Sequence, residues 1–255
     1  MKTKLLLVAT SVALGLATPW AVADDHEGGS RACGGLPTHD QLESALKAFA
    51  PNGGNGGLGF NMWATVVNRD GTVCQVARTG HLGDQWPGSR VISAQKANTA
   101  NAFSLPGLAL STANLYAPVQ PGGSLFGLQE SNPVDPRVAY RGEARKFGTD
   151  EDPMRGFRIG GVNVFGGGLA LYDPQGKLLG GLGVSGDTSC ADHNIAWKVR
   201  FQLNLDNIPG GVAADGTDNI IYGTGGFKHP ECGFGEAAIS ATLPTPTAFP
   251  IGPNP

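Results

Sequence analysis

Apolar positions recur at helical spacing in several segments of this chain. In the first segment they fall at i, i+3, i+4 and i+7, namely at Leu42, Ala45, Leu46 and Phe49. Thr38 and Gln41 precede this face with the spacing of a capping box, in which each side chain bonds the backbone N–H of the other residue. The pattern predicts helices over this segment, over 89–103, where alanines recur every three residues, and over 190–203.

Two further segments favour β-strands. Residues 61–79 contain two β-rich runs on either side of Asp70-Gly71, a pair typical of tight turns, and residues 169–186 form a second hairpin pattern. Because hairpins pair strands antiparallel, the order helix, hairpin, helix, long loop, hairpin, helix predicts an α+β fold. The glycines of the second hairpin fit a strand that passes closely under a helix.

The first 23 residues have the pattern of a secretory signal peptide. Lys2 and Lys4 precede an apolar run, and a small-x-small site ends at Ala23. We therefore expect a periplasmic or secreted protein with no membrane span after cleavage. The rest of the chain divides into a flexible lead at 24–37, a domain at 38–206 with an insertion at 118–160, and a Gly/Pro-rich extension at 207–255.

The charge of the chain argues against nucleic acids as partners. The chain has 18 basic and 21 acidic residues, and removal of the signal segment makes its net charge more negative. No basic block is present in the sequence, so we do not expect it to neutralise the phosphates of a nucleic acid.

The four cysteines lie beyond the signal segment, which predicts two disulfides in an exported chain. We favour a Cys190–Cys232 bond, which would tie the extension to the last predicted helix, together with Cys33–Cys74. The alternative is a zinc site, because two thiolates and two imidazoles occur at ligand spacing, in Cys190, His193, His229 and Cys232.

The segment 180–193 also contains fragments of two catalytic or binding motifs. The glycines of its G-x-G-x-x-G pattern lie in a strand of a hairpin, and no parallel strand is predicted after the next helix. Both features argue against a dinucleotide site. A nucleophile elbow would need a glycine two residues after Ser185, where Asp187 stands. We expect Asp187 or Ser189 to cap the last predicted helix.

Several pieces resemble the GlcG/HbpS family when they are taken in order. They are the hairpin at 63–80, K-A-x-T-A-x-x-F at 96–103 and G-x-G-V-S-G at 181–186, within a similarity that covers about 40–205. The resemblance implies a profilin-like sandwich with a five-stranded antiparallel sheet flanked by helices, a homo-oligomer, and a haem-binding role in haem or iron sensing or storage. The cysteines, the long loop and the extension depart from the family pattern.

Haem requires an apolar slot and usually an axial side chain. We select His81 and His193 as candidate ligands because they flank the two family-like hairpins, and Lys96 and Arg90 as partners for the propionates. The alternatives are a non-catalytic module that binds a small organic ligand or assembles with proteins, and an enzyme that degrades haem or acts on a small organic acid. We favour binding over catalysis and assign no catalytic residue.

Overall fold

The structure is a computed structural model that describes residues 32–252. Its centre is a four-stranded antiparallel sheet in the order β2-β1-β4-β3, and each predicted hairpin supplies two neighbouring strands. The strands are β1 (Trp63–Asn68), β2 (Val73–Arg78), β3 (Gly168–Tyr172) and β4 (Leu178–Ser185). The α+β class and the antiparallel sheet are therefore confirmed.

The helices predicted from apolar spacing are present. They are α1 (His39–Phe49), α2 (Ser89–Phe103) and α5 (Ser189–Gln202); three short helices were not predicted, α3 (Leu128–Ser131), α4 (Pro136–Ala139) and α6 (Glu236–Thr242). Single 3₁₀ turns occur at Gly53–Asn55, Thr112–Leu115, Ala117–Val119 and Ala144–Lys146. Thr38 and Gln41 form the predicted capping box at α1.

The cap predicted for α5 was wrong. Thr188 is the N-cap, and its Oγ1 accepts the backbone N–H of Ala191 at 3.2 Å. The carboxylate of Asp187 is engaged elsewhere, since it accepts backbone N–H groups from 58–60 at 2.7 to 3.2 Å. Ser189 is already the first helical residue.

The expectation of five strands was also wrong, because the sheet within residues 32–252 has four. A short segment lies along the free edge of β2, where the Val73 N–H donates to the Phe157 carbonyl at 2.9 Å. This segment does not extend into a strand. Gly156, Gly160 and Gly161 within it have φ values of +80°, +64° and +80°, a left-handed conformation that interrupts β-pairing.

Helices cover both faces of the sheet. Along β1 successive side chains point to opposite faces. Ala64 and Val66 pack into a cluster with α1 and α5, whereas Trp63 and Val67 pack with α2 and with part of the 118–160 insertion. The core is thus divided into two layers by the sheet.

The glycines of β4 allow α2 to lie against the strand, as predicted. A Cβ atom at Gly183 would overlap the carbonyl oxygen of Ser93, and one at Gly181 would overlap that of Ala97. Only a residue without a side chain permits this approach between backbone and backbone.

Both favoured disulfides are present. Cys33–Cys74 joins the segment before α1 to β2, and Cys190–Cys232 joins α5 to the extension, with Cα–Cα distances of 5.8 and 6.1 Å. In the chain-entropy description each closes a loop long enough to contribute about 4 kcal/mol to stability.

The C-terminal extension packs on the domain. Leu243 is buried in the layer that contains α1 and α5, and the Phe249 ring lies edge-on to Phe49 and Phe201. Within residues 32–252 no helix is long and apolar enough to cross a membrane. The predicted signal peptide and most of the predicted lead lie outside the described residues.

Candidate functional site

The four predicted haem residues fall into two separate regions. His81 is exposed in the loop between β2 and α2, and Arg90 lies in the first turn of α2 behind that loop. Lys96 and His193 are fully buried, on α2 and α5. The structure therefore brings the candidates together in pairs and not as one site.

Lys96 is engaged in a buried ion pair. Its Nζ lies 2.6 Å from Asp192 Oδ2 and donates to the Val184 carbonyl at 3.0 Å, and both charged side chains are at most 3% exposed. Burial lowers the pKa of Lys96, although Asp192 opposes this shift, and burial raises the pKa of Asp192 to about 6. The pair is part of the folded core, and a propionate could reach Lys96 only by displacing Asp192.

His193 is enclosed next to this pair. Its Nε2 lies 3.1 Å from both Asn219 Oδ1 and the backbone nitrogen of Ile220. Its Nδ1 is buried and has no hydrogen-bond partner among the described residues. Burial lowers the pKa of His193 to about 4, so the ring is neutral at pH 7.

Arg90 is also committed within the fold. Its Nε donates to Asp152 Oδ2 at 2.8 Å, its Nη1 donates to the Ala139 carbonyl at 2.8 Å, and its guanidinium lies 3.7 Å from the centre of the Phe147 ring. The Asp152 carboxylate in turn accepts the N–H of Gly148 at 2.8 Å. Arg90 thus anchors the insertion on α2.

This anchoring creates a cleft of about 320 Å³ between the insertion and the loop that follows His81. Its walls come from β1, the loop at 82–87, the first turn of α2 and the insertion at 140–147. The large apolar or aromatic side chains among them are Trp63, Leu82, Val91, Tyr140 and Phe147. The cleft is a predominantly apolar slot.

Exposed apolar side chains occur in the cleft lining and next to it in the chain. Trp86 is 49% exposed and pairs edge-to-face with Phe60 at a centroid distance of 5.2 Å. Tyr140 is 66% exposed, and Leu82 is 42% exposed. A concentrated apolar patch of this kind is typical of a binding surface.

The His81 ring is free, unlike the other described histidine rings. Its backbone N–H is held by Asp84 Oδ2 at 2.7 Å, but its imidazole makes no hydrogen bond among residues 32–252. By contrast, His39 Nε2 lies 3.1 Å from the Gly148 carbonyl, and His229 Nε2 lies 2.7 Å from Ser189 Oγ. His81 is therefore the described histidine whose nitrogens are both available to a ligand.

Sequence reasoning missed Tyr140. Its hydroxyl makes no hydrogen bond among the described residues, and its ring lines the same cleft. It lies in the insertion, where the sequence shows no periodicity, and no local pattern relates it to His81. Long-range contacts of Arg90, to Asp152 and to the Ala139 carbonyl, hold this part of the insertion against α2.

The four residues considered for zinc are partly assembled. Ligand atoms of Cys190, His229 and Cys232 lie within 4.8 Å of one another, and the two cysteines are joined as a disulfide. His193 does not belong to this group. A separate cavity of about 880 Å³ lies beside the group. It is lined by the segments 116–125 and 223–228 and by Pro230.

The sequence matches the family model described as "Haem degrading protein HbpS-like" over residues 40–200. No curated protein matches it significantly.

Three solved structures illustrate the similarity. The Klebsiella pneumoniae protein ORFY is 23% identical, with a TM-score of 0.45, and the match covers 64% of this chain and 86% of that one. A PduOC–haem complex is 27% identical, with a TM-score of 0.46 and coverage of 67% and 96%. A double mutant of Streptomyces reticuli HbpS is 19% identical, with a TM-score of 0.39 and coverage of 76% and 96%.

Proposed function

This chain belongs to the HbpS-like family, and from that membership we propose that it binds haem or a related tetrapyrrole in the cleft beside His81. One observation carries the location. His81 is exposed, its imidazole has no internal partner among residues 32–252, and it directly precedes Leu82, which lines a slot of aromatic and aliphatic side chains. Such a slot and such a ring are the two features that haem requires of a protein.

The residues at this cleft fit the group. His81 would supply a nitrogen ligand to the iron, and the Tyr140 hydroxyl would be the second side chain able to ligate it. Trp63, Val91 and Phe147 would exclude water from the buried edge of the macrocycle. Bound haem would supply redox-active iron, and the protein side chains would set its orientation and its access to solvent.

The propionates need partners other than those predicted from the sequence. Arg90 and Lys96 each already bond a buried carboxylate. Arg145 follows Ala144, which lines the cleft, and its side chain is 77% exposed beside Glu143. An exposed pair of this kind is weak, so Arg145 can exchange Glu143 for a propionate.

Haemin titration tests this proposal through the Soret band. We expect saturation at one haem per chain in the unmodified protein and at least a tenfold loss of affinity in His81→Ala. His39→Gln is the matched control, because the His39 ring is already bonded to the Gly148 carbonyl and is not free to ligate iron, and it should leave the titration unchanged.

Two outcomes would reject the proposal. The absence of any Soret shift in the unmodified protein rejects haem binding. A shift that survives in the His81→Ala, Tyr140→Phe double variant rejects the assigned cleft. Loss of the Soret band under reductant, together with release of a product, would show that the protein degrades haem as well as binding it.

We also propose export and self-association. The N-terminal composition and two disulfides support a periplasmic or secreted location. The exposed apolar patch around Trp86 supports contact with a second copy of the chain. Mass spectrometry of the exported protein should find cleavage after Ala23, and an intact N-terminus would contradict the proposed export. Light scattering should find more than one chain per particle, and a monomer would contradict the proposed self-association.

A further inference from the structure

A histidine lies directly beside the disulfide that ties the extension to α5. His229 Nδ1 is 3.9 Å from Cys190 Sγ, and the ligand atoms of Cys190, Cys232 and His229 lie within 4.8 Å of one another. Cys190 and His229 are at most 2% exposed, and Cys232 is partly exposed. The arrangement is independent of the haem cleft and of its proposed function.

We propose that reduction of this disulfide converts the group into a binding site for a thiophilic divalent cation, such as Zn²⁺. Two thiolates and one imidazole form a Cys₂His set, which zinc accepts with a fourth position left for water or another ligand. Zinc bonds of about 2.3 Å to sulfur and about 2.0 Å to nitrogen place neighbouring ligand atoms about 3.5 to 3.8 Å apart. The separation between Cys190 and His229 is already close to this value.

Formation of the site requires movement mainly of Cys232. Cys190 is fixed on α5 and fully buried, whereas Cys232 lies in the extension just before Gly233. Gly233 and Gly235 have φ values of +87° and +74°, and nothing lies within 4 Å of a Cβ placed at either one. The Glu236 carboxylate accepts the backbone N–H groups of 232–234, so the movement required is a rotation of the partly exposed Cys232 side chain once the bond to Cys190 is broken.

The surroundings of His229 suit a metal-bound imidazole. At present Nδ1 lies 2.6 Å from the Pro230 carbonyl and Nε2 lies 2.7 Å from Ser189 Oγ. With a metal on Nδ1, the ring proton is on Nε2 and donates to Ser189 Oγ. That hydroxyl oxygen also accepts the Gly166 N–H at 2.6 Å, so it is held in place as the partner that orients the ring.

The chemistry balances with a dithiol reductant. A thiolate of the reductant attacks Cys232 Sγ, the more exposed sulfur, and Cys190 leaves as a thiolate; the second thiol of the reductant then releases Cys232. Two electrons and two protons pass to the protein, and the reductant becomes its own disulfide. The cation displaces the two thiol protons, while the imidazole changes tautomer without net loss of a proton.

The neighbouring cavity adjoins this site. Tyr116, Lys228 and Pro230 line that cavity, and the Tyr116 ring centroid is 4.6 Å from that of His229. Tyr116 therefore joins the wall of the cavity to the imidazole.

Cobalt titration of the full chain tests the inference, with Co²⁺ as the probe. The chain is reduced, freed of reductant without oxygen, and compared with the oxidised chain. We expect one Co²⁺ per reduced chain, with the sulfur charge-transfer and tetrahedral d–d bands bleached by Zn²⁺, and no such bands in the oxidised chain. His229→Ala should weaken binding at least tenfold, and Ser189→Ala about tenfold.

The Cys33→Ser, Cys74→Ser double variant is the matched control, because it removes the other disulfide and should bind Co²⁺ normally. Near-ultraviolet circular dichroism monitors folding of the reduced chain; if reduction abolishes the signal, Zn²⁺ must restore it. Reduced protein without the bands, binding unaffected by His229→Ala, or a lost signal that Zn²⁺ does not restore would each overturn the proposal.

Discussion

The cleft beside His81 and the buried cluster of Lys96, Asp192 and His193 both contain groups able to hold a ligand. In the cluster the two charges are paired with each other, and the imidazole is enclosed against Asn219. At the cleft, Tyr140 and the neighbouring His81 are exposed, and their side chains make no hydrogen bond among the described residues. The two regions therefore differ in how available their groups are to a ligand, and not in residue type.

The cost of desolvation explains why the two regions differ. A charge or imidazole removed from water is stable only when the fold itself supplies partners. Those partners then compete with any incoming ligand. We therefore expect substitutions in the buried cluster to change stability, and substitutions in the cleft to change ligand affinity.

The largest effect on stability is expected from Lys96→Met. This change leaves the buried Asp192 carboxylate without its counter-charge, which should lower the free energy of unfolding by about 3 to 5 kcal/mol. Urea denaturation measures it. Lys47→Met, which removes an exposed pair with Glu43, should cost about 0.5 kcal/mol or less. Equal losses in the two variants would contradict the structural role of the buried pair.

His193 should make stability depend on pH. Its pKa is lowered to about 4 by burial, from an ordinary 6.5. Between these values the unfolded chain binds a proton that the folded chain does not, so stability falls as pH falls, by up to about 3 kcal/mol.

Two carboxyl groups act in the opposite direction. Burial raises the pKa values of Asp192 and Asp206 to about 6, so between about pH 4 and 6 they favour the folded chain on acidification.

Comparison of the unmodified protein with His193→Gln isolates the contribution of the histidine to this pH dependence. From pH 7 to 4.5 the unmodified protein should lose about 2 to 3 kcal/mol relative to this variant; parallel pH profiles would contradict the assignment.

Gly183→Ala tests the close approach that buries the cluster. Its Cβ would overlap the Ser93 carbonyl oxygen, so α2 must shift away from β4. Overpacking of this kind costs about 1 to 3 kcal/mol. Gly53→Ala is the control, because nothing lies within 4 Å of a Cβ there, and thermal unfolding should separate the two variants.

The smallest effect on stability is expected at the cleft. His81→Ala and Tyr140→Phe remove exposed groups without internal partners, so each should change the free energy of unfolding by about 0.5 kcal/mol or less. A larger loss in urea denaturation would show that these side chains serve the fold, and it would remove the contrast between the two regions.

Elements with local signals were predicted correctly from the sequence. The capping box at Thr38, the Asp70-Gly71 turn and the glycines under α2 each depend on residues close in the chain or on a strong steric rule. The cysteine pairing was also correct, since it followed from the expected compartment and from the need to fix the extension.

The remaining features depend on distant partners. Asp152 is 62 residues from Arg90 and Asp192 is 96 residues from Lys96, and no spacing rule links them. Tyr140 was not predicted for the same reason, because Arg90 and its distant partner Asp152 hold the insertion that carries it. The fifth strand came only from the family resemblance, and left-handed glycines beside β2 prevent the edge segment from forming one.

The position of iron in haem-loaded crystals would show directly which side chains hold the haem. An anomalous difference map at the iron absorption edge locates the metal without reference to any variant. We expect a single peak within bonding distance of the His81 ring or the Tyr140 hydroxyl. A peak beside His193, or in the cavity next to His229, would contradict it.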